Sequence, residues 1–201
     1  MKALWLGPLA ALLSSTVTAP LVADARVPHG LGLASKKSIE PLAAVAESAP
    51  VLATLVQVHT DERVALDAIS PSSERFSQLL ADRVTGAAAP LDPRLLDLLR
   101  TLAKREPGAR IELVSGFRSP KLNEMLRKKG HHVALHSQHS LGHACDFRIV
   151  PAGATARPLA PYVLERRIRD AGWTGGVGVY PSQNDWFVHA DVGPQRRWVS
   201  R

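Results

Sequence analysis

The chain has only one cysteine, Cys145, among its 201 residues, so no disulfide bond can form within it. Small secreted proteins commonly depend on disulfides, and a fold without them must rest on its hydrophobic core or on a bound metal. Hydrophobic residues make up 45% of the chain and charged residues 21%, which is typical of a globular protein. We therefore expect a single domain with a proper core, with or without appended segments.

Long basic blocks are absent as well, although the formal net charge is +7. Aromatic residues are only 5% of the chain, and they do not interleave with the basic ones. Because basic patches with aromatic residues are typical of nucleic-acid binding, we predict no nucleic-acid partner. A basic surface still suits another anionic partner, such as an acidic polymer or an anionic lipid surface.

The apolar run at the N-terminus is too short for a membrane-spanning helix, which needs about 20 residues. It extends from Ala3 to Leu13, follows Lys2 and precedes small residues, which is the layout of a secretory signal peptide. The A-x-A pattern at 23–25 predicts cleavage after Ala25, with an uncleaved membrane anchor as the alternative. We predict a signal peptide at residues 1–25, a periplasmic protein and no stable membrane insertion after cleavage.

Residues 26–50 are rich in Ala, Pro and Ser without sustained periodicity, which predicts a flexible N-terminal arm. The pattern then becomes that of a folded domain, which we assign to residues 51–201. Two apolar stretches flank "HTDER" (59–63) and predict a β-hairpin. Phe76, Leu79, Leu80 and Val84 form an apolar stripe at helical spacing, which predicts a helix that ends near Gly86. A clearer helix is capped by Asp92, begins at Pro93 and ends at Gly108, with a predicted leucine stripe at Leu95, Leu98, Leu99 and Leu102.

Strands alternate with short helices in the rest of the chain. Strand patterns occur in "RIELVSGFRS", "HACDFRIV", "TGGVGVY" and "DWFVHADVG", the last of which is the final predicted strand. Helical patterns occur in "SPKLNEMLRKKG" and "LERRIRDAG". The predicted fold class is α+β, a single domain with a small antiparallel sheet that carries the functional site and is flanked by helices.

Three of the eight histidines stand close together in "HSQHSLGH" (136–143). Side chains alternate along a strand, so pairing of "HACDFRI" with "DWFVHADVG" lets Asp146 and His189 face each other, while Cys145 points into the core. His139 can fold back over both from the preceding loop. Two histidines and one aspartate form the three-ligand set of a catalytic zinc, although an isolated histidine is more often a surface or hydrogen-bonded core residue.

A family pattern strengthens this interpretation. "SQHSLGHACD" fits S-x-H-x-x-G-x-A-x-D in full, and "LDPRLLDLL", "SGFRSP", "GGVGVYP" and "FVHADVGPQRRW" accompany it. Over residues 51–198 these blocks resemble the D-Ala-D-Ala metallopeptidase superfamily, in the branch typified by murein endopeptidase K. The resemblance implies a hedgehog/D-Ala-D-Ala peptidase-like fold with a Zn²⁺ ion held by His139, Asp146 and His189.

The resemblance implies roles for two further side chains. Arg118, in "SGFRSP", stands where the family has an arginine that stabilises the oxyanion developing on the scissile carbonyl, as a fixed guanidinium can. The alternative for Arg118 is a salt bridge that pins the turn. Ser137 matches a position that lines the site, which predicts substrate binding, and its alternative is a cap of the loop.

The sequence departs from the family pattern at the general base. Carboxypeptidase relatives have a glutamate three residues before the last histidine, where this chain has Trp186. Asp185 and Asp191 both share the face of His189 if the strand is regular, so either carboxylate can accept the proton. We predict Asp185 as the base and Asp191 as support of the metal site, with a bulge at Trp186 or a role for His136 as further options.

These observations predict a zinc-dependent metallopeptidase that hydrolyses peptide cross-links in peptidoglycan. Its partners are the stem peptides, whose free carboxylates suit a basic surface, and it acts as a monomer. One alternative is a carboxypeptidase of the same fold that removes a terminal D-amino acid. Another is a non-catalytic wall-binding module stabilised by zinc, which the missing glutamate favours.

Overall fold

The computed structural model of the chain describes residues 49–130, 137–153 and 157–200. They all belong to one compact unit of the chain, residues 46–201. The predicted signal peptide and almost all of the predicted arm lie outside the described residues, as does His136. No helix of the described part is long and apolar enough to cross a membrane.

The described residues form seven strands, four helices and one 3₁₀ turn. The strands are β1 (Ala53–Gln57), β2 (Glu62–Leu66), β3 (Ala109–Ser115), β4 (Ala144–Val150), β5 (Gly176–Tyr180), β6 (Phe187–Asp191) and β7 (Arg196–Val199). The helices are α1 (Ser73–Leu79), α2 (Pro93–Arg105), α3 (Pro120–Lys128) and α4 (Pro161–Asp170), and the 3₁₀ turn covers Gln138–Leu141.

The predicted α+β class is confirmed, but the prediction of a small antiparallel sheet is wrong. All seven strands join one sheet in the order β2-β1-β3-β4-β6-β5-β7. β1 pairs with β3 and β5 with β7 in parallel, and the other neighbours are antiparallel. The parallel β1–β3 pair is possible because α1 and α2 lie between these strands and carry the chain back. The predicted hairpin, β1 with β2, extends this sheet.

β7 was not predicted as a strand. It begins with Arg196 and Arg197, whose side chains are exposed, so no apolar alternation marks it in the sequence. It pairs in parallel with β5 along Gly176–Val179. This pairing brings the C-terminal motif of the family pattern against the strands that carry the site.

Helix α2 follows the sequence prediction closely. The Asp92 carboxylate accepts a hydrogen bond from the backbone N–H of Arg94, and Pro93 is the first helical residue. The predicted leucine stripe is buried in the core: Leu95, Leu98, Leu99 and Leu102. Burial of each such side chain contributes roughly 1.5–3 kcal/mol. The stripe therefore fixes the helix against the sheet.

Helix α1 ends at Leu79, well before Gly86, so its predicted length is wrong. The reason is Asp82, whose Oδ1 accepts hydrogen bonds from the backbone N–H groups of Val84 at 2.7 Å and Thr85 at 2.8 Å. A short polar side chain that binds nearby N–H groups in this way competes with helix formation. Val84, predicted on the apolar stripe, is accordingly exposed.

Strand β4 shows how the sheet separates the core from the site. Cys145, Phe147 and Ile149 are buried in the hydrophobic core with the helices. Asp146 and Arg148 point to the opposite face, where they line a cleft. The predicted burial of Cys145 is thus confirmed, and burial raises the pKa of its thiol.

Candidate metal centre

Three side chains converge on the cleft face of the sheet. The register of β4 and β6 places Asp146 directly opposite His189, as the sequence predicted. His139 reaches them from the 3₁₀ turn. His189 Nδ1 lies 2.8 Å from Asp146 Oδ1 and 3.0 Å from His139 Nε2, and His139 Nε2 lies 3.2 Å from Asp146 Oδ1. We call these three residues the ligand group.

The 3₁₀ turn is shaped to present His139. The Ser137 side chain accepts a hydrogen bond from the backbone N–H of His139, so Ser137 caps the turn. Gly142 ends it with a φ of 73°, which favours glycine. A Cβ at Gly142 would lie 2.2 Å from the carbonyl oxygen of Pro90, and the Gly142 carbonyl accepts from Asp92 N–H. The glycine of the family pattern therefore lets the turn pack against the start of α2.

Each histidine has its outer nitrogen fixed by the protein. His139 Nδ1–H donates to the backbone carbonyl of Gly116 at 2.7 Å, and His189 Nε2–H donates to Asp191 Oδ2 at 3.0 Å. These acceptors assign the tautomers, leaving the lone pairs of His139 Nε2 and His189 Nδ1 inside the group. Metal-binding histidines are oriented by hydrogen bonds of this kind.

The charge states of His139 and Asp146 suit a metal. Burial lowers the pKa of His139 to about 4, so its imidazole is neutral at pH 7. Burial alone would raise the pKa of Asp146, but His139 and Arg118 outweigh it and hold that pKa well below its usual range. Burial opposes protonation of His189, but hydrogen bonds to Asp146 and Asp191 raise its pKa, so a proton competes with a metal for this ring. A neutral imidazole and a carboxylate are the forms that bind metal ions.

The donor set therefore fits a divalent metal. Within the described ranges, His139, Asp146 and His189 are the one group of three such residues whose ligand atoms lie within 4.8 Å of one another, and all three are buried. Ligand atoms about 2 Å from a tetrahedral ion lie roughly 3.3 Å apart. The separations in the ligand group are slightly shorter than that, so a small outward movement accommodates an ion.

Arg118 contacts the ligand group directly. Its Nη2 donates to Asp146 Oδ2 at 2.5 Å, and its Nε donates to Ser115 Oγ at 2.9 Å. Oδ1 of Asp146 is left to face the histidines. The predicted alternative for Arg118 was a salt bridge that pins its own turn. Arg118 does form a salt bridge, but its partner is Asp146 of the ligand group. Arginine has five N–H donors, so others remain for a substrate in the cleft that Arg118 lines.

Asp191 lies behind His189 and is fully buried. Besides the bond from His189, Asp191 Oδ2 accepts from Arg196 Nη2 at 2.9 Å, and Oδ1 accepts from Gly193 N–H at 2.8 Å. A Cβ on Gly176 would lie 2.3 Å from Asp191 Oδ2. The glycine in β5 therefore provides the space that this carboxylate occupies.

The second glycine of β5 has a similar function. A Cβ on Gly178 would lie 2.5 Å from the indole ring of Trp198. The centroids of the indole and the His189 ring lie 5.1 Å apart, and the Arg196 guanidinium carbon lies over the indole at 5.2 Å from its centroid. The glycine-rich strand and the R-x-W motif of β7 thus enclose His189 together. Sequence reasoning quoted both motifs without assigning them this role.

Asp185 lies outside the regular strand. β6 begins at Phe187, so the prediction that Asp185 shares the strand face of His189 is wrong. The backbone turns here, with Asp185 N–H donating to the carbonyl of Ser182 at 3.1 Å. The Asp185 carboxylate is exposed and accepts a long hydrogen bond from Ser182 Oγ at 3.5 Å. Asp185 nevertheless lines the same cleft as the ligand group.

The cleft has a volume of about 1170 Å³ and extends across the sheet, from Val58 after β1 to Trp198 on β7. Of the predicted site residues it is lined by Arg118, Ser137, His139, Asp146, Asp185 and His189. Its size exceeds that of an ordinary small-molecule pocket. A peptide segment can therefore pass across the ligand group.

The comparison with known proteins agrees with this geometry. Residues 50–198 match the family of the peptidoglycan L,D-endopeptidase MepK. The chain belongs to this family. Members of the MepK family are metal-dependent hydrolases, and the ligand group supplies a site that such a metal requires.

Two relatives from this family show the extent of the similarity. The probable peptidoglycan L,D-endopeptidase MepK of Haemophilus influenzae is 33% identical over 180 residues, covering 83% of this chain and 90% of that protein. The peptidoglycan L,D-endopeptidase MepK of Escherichia coli K12 is 32% identical over 159 residues, covering 74% and 80%. The crystal structure of Serratia marcescens L-Ala D-Glu endopeptidase ChiX matches 51% of this chain and 80% of that chain, at 23% identity and a TM-score of 0.34.

Proposed function

We propose that this chain is a zinc-dependent peptidoglycan endopeptidase that hydrolyses peptide cross-links in the cell wall. The observation that carries the proposal is the buried ligand group at the wall of an open cleft, with Arg118 beside it. Its family and its two MepK relatives support the same activity. A structural metal site is usually closed by a fourth protein ligand, whereas this group has three and faces a cleft, as catalytic sites do.

Zinc is the metal that this donor set suits best. Two imidazole nitrogens and one carboxylate oxygen are ligands that Zn²⁺ accepts in catalytic sites. His139, Asp146 and His189 would hold it. When bound, zinc acts as a Lewis acid that polarises a carbonyl and lowers the pKa of a water molecule to about 7.

The side chains around the ligand group provide the remaining functions. Asp185 accepts the proton from the attacking water on one of its carboxylate oxygens, since it is exposed in the cleft and its carboxylate has no stronger partner among the described residues. Arg118 donates from its free N–H groups to the oxygen on which negative charge develops. Ser137 lines the cleft and contributes to substrate binding.

Asp191 supports the site without reaching the cleft. It accepts the Nε2–H of His189 and so fixes the ring orientation and raises the electron density at Nδ1. Arg196 neutralises part of the buried charge of Asp191. We therefore retain Asp191 as a positioning residue and Asp185 as the base.

The proposal includes the predicted chain organisation. A signal peptide at residues 1–25 exports the protein, residues 26–50 form a flexible arm, and residues 51–201 form the peptidase domain. The mature protein then works in the periplasm as a monomer on peptidoglycan stem peptides. It has no stable membrane insertion after cleavage and no nucleic-acid partner.

Digestion of purified muropeptides by the zinc-loaded protein tests the activity. We expect cross-linked dimers to disappear and linear fragments to appear, as followed by mass spectrometry, with about one zinc per chain by elemental analysis. Release of single D-amino acids without loss of dimers would instead indicate the carboxypeptidase. Zinc binding without turnover on any muropeptide would indicate the wall-binding module.

A further inference from the structure

Among the residues that the structure describes, four arginines line the cleft, and three of them form an ion pair with a carboxylate. Arg118 pairs with Asp146 and Arg196 with Asp191, as described above. Arg148 pairs with Glu112. Arg83 is the fourth, and within the described part of the chain its guanidinium has no ion pair or hydrogen bond. Arg83 therefore presents a full positive charge to the cleft.

The segment that carries Arg83 is firmly held although Arg83 itself is exposed. Asp82 is almost completely buried, and besides Val84 and Thr85 its carboxylate binds the backbone N–H of Ser119 at 2.6 Å through Oδ2. Burial alone would raise the pKa of Asp82, but a hydrogen bond with the Ser119 side chain and those from the backbone N–H groups lower it to about 2. The carboxylate is thus ionised at neutral pH and links the turn after α1 to the start of α3.

A second set of contacts ties the same turn to the motif that carries Arg118. Phe117 N–H donates to the carbonyl of Leu80 at 3.0 Å. A Cβ on Gly116 would lie 2.4 Å from Leu80 Cβ, so this glycine allows close packing. The Gly116 carbonyl in turn accepts from His139. The backbone that carries Arg83 is consequently connected to the ligand group through a short chain of backbone contacts, while the exposed side chain remains available to a substrate.

We infer that Arg83 binds a free carboxylate of the peptide substrate and so determines substrate specificity. This inference rests on the proposed function. The stem peptides of the proposed substrate carry free carboxylates. An arginine fork binds a carboxylate through two parallel N–H···O bonds, which a neutral amide cannot match. Arg118 contacts the ligand group and is already assigned to the developing oxyanion. We therefore assign substrate specificity, and no part of the chemical step, to Arg83.

Two cross-linked muropeptides test the inference, one with free stem-peptide carboxylates and one with these carboxylates amidated. With the zinc-loaded protein, Arg83→Gln should raise the KM for the free-acid substrate about tenfold and leave kcat within about twofold. The KM for the amidated substrate should be the same in wild type and variant. Arg83→Lys should recover part of the preference, since it keeps the charge but not the fork.

Arg166→Gln is the matched control. Arg166 is also exposed, lies on α4 and is absent from the cleft lining, so its loss changes the net charge equally. Equal KM values for Arg83→Gln and Arg166→Gln on both substrates, with active wild type, would overturn the inference alone. No cleavage of either substrate by wild type would overturn the proposed function and this inference with it.

Discussion

The ligand group and the loop between β5 and β6 (residues 181–186) line the same cleft, yet the protein holds them very differently. His139, Asp146 and His189 are buried, and each is fixed by at least one further partner: Gly116, Arg118 and Asp191. Asp185 in the loop is exposed, and its carboxylate has one long contact with Ser182. The candidate metal centre is therefore preorganised, whereas the proposed base is exposed and less constrained.

The largest effect is expected when the preorganised part loses a ligand. His139→Ala removes one of three donors, so we expect the loss of bound zinc and of all detectable turnover. The fold should largely persist because the core lies on the opposite face of the sheet. Elemental analysis, muropeptide digestion and circular dichroism measure these three properties.

His59→Ala is the control for that variant. His59 is exposed and lines the same cleft, but it does not belong to the ligand group. It should keep a full complement of zinc. If His139→Ala also retained full zinc, the assignment of His139 as a ligand would be wrong.

The next largest effect is expected in the loop. Asp185→Asn keeps the shape of the side chain but cannot accept the proton, so kcat should fall by about 10²–10⁴-fold. Zinc content should not change, because Asp185 lies outside the ligand group. A normal kcat would show that the base lies elsewhere, with Asp191 and His136 as the other predicted candidates.

A smaller effect on metal affinity is expected for Asp191→Asn. The amide oxygen can replace only one of the two carboxylate oxygens, so it serves either His189 and Arg196 or Gly193, and the amide NH₂ then faces the remaining donor. The neutral amide also cannot balance the charge of Arg196. We expect zinc affinity to fall roughly 10–100-fold, measured by competition with a chelator, while saturating zinc restores most of kcat. A loss of kcat that saturating zinc does not restore would exchange the roles of Asp191 and Asp185.

The sequence predicted those parts of the molecule in which local pattern and burial agree. In α2 the cap at Asp92, the proline at the first position and the leucine stripe all favour the same helix, and the structure has it. The opposition of Asp146 and His189 followed from strand alternation, because both strands are regular at these residues.

Parts that depend on contacts distant in sequence were not predicted. α1 ends early because the Asp82 side chain binds N–H groups that a longer helix would use, and because Ser119 joins them from another element. β7 forms through pairing with β5, while its own residues show no strand pattern. Asp185 was assigned to a regular strand face, but the chain turns at Ser182 before β6 begins.

The reactivity of the Cys145 thiol reports how often the sheet opens around β4. Cys145 is the only thiol of the chain and adjoins Asp146 on the central strand β4, facing the core. A thiol reagent can reach it only when the sheet opens, so native protein should label very slowly and at a rate set by that opening equilibrium. Labelling rates with and without zinc would then measure how much bound metal stabilises the pairing of β4 with its neighbours. Rapid labelling of the folded protein would contradict the orientation of Cys145 towards the core.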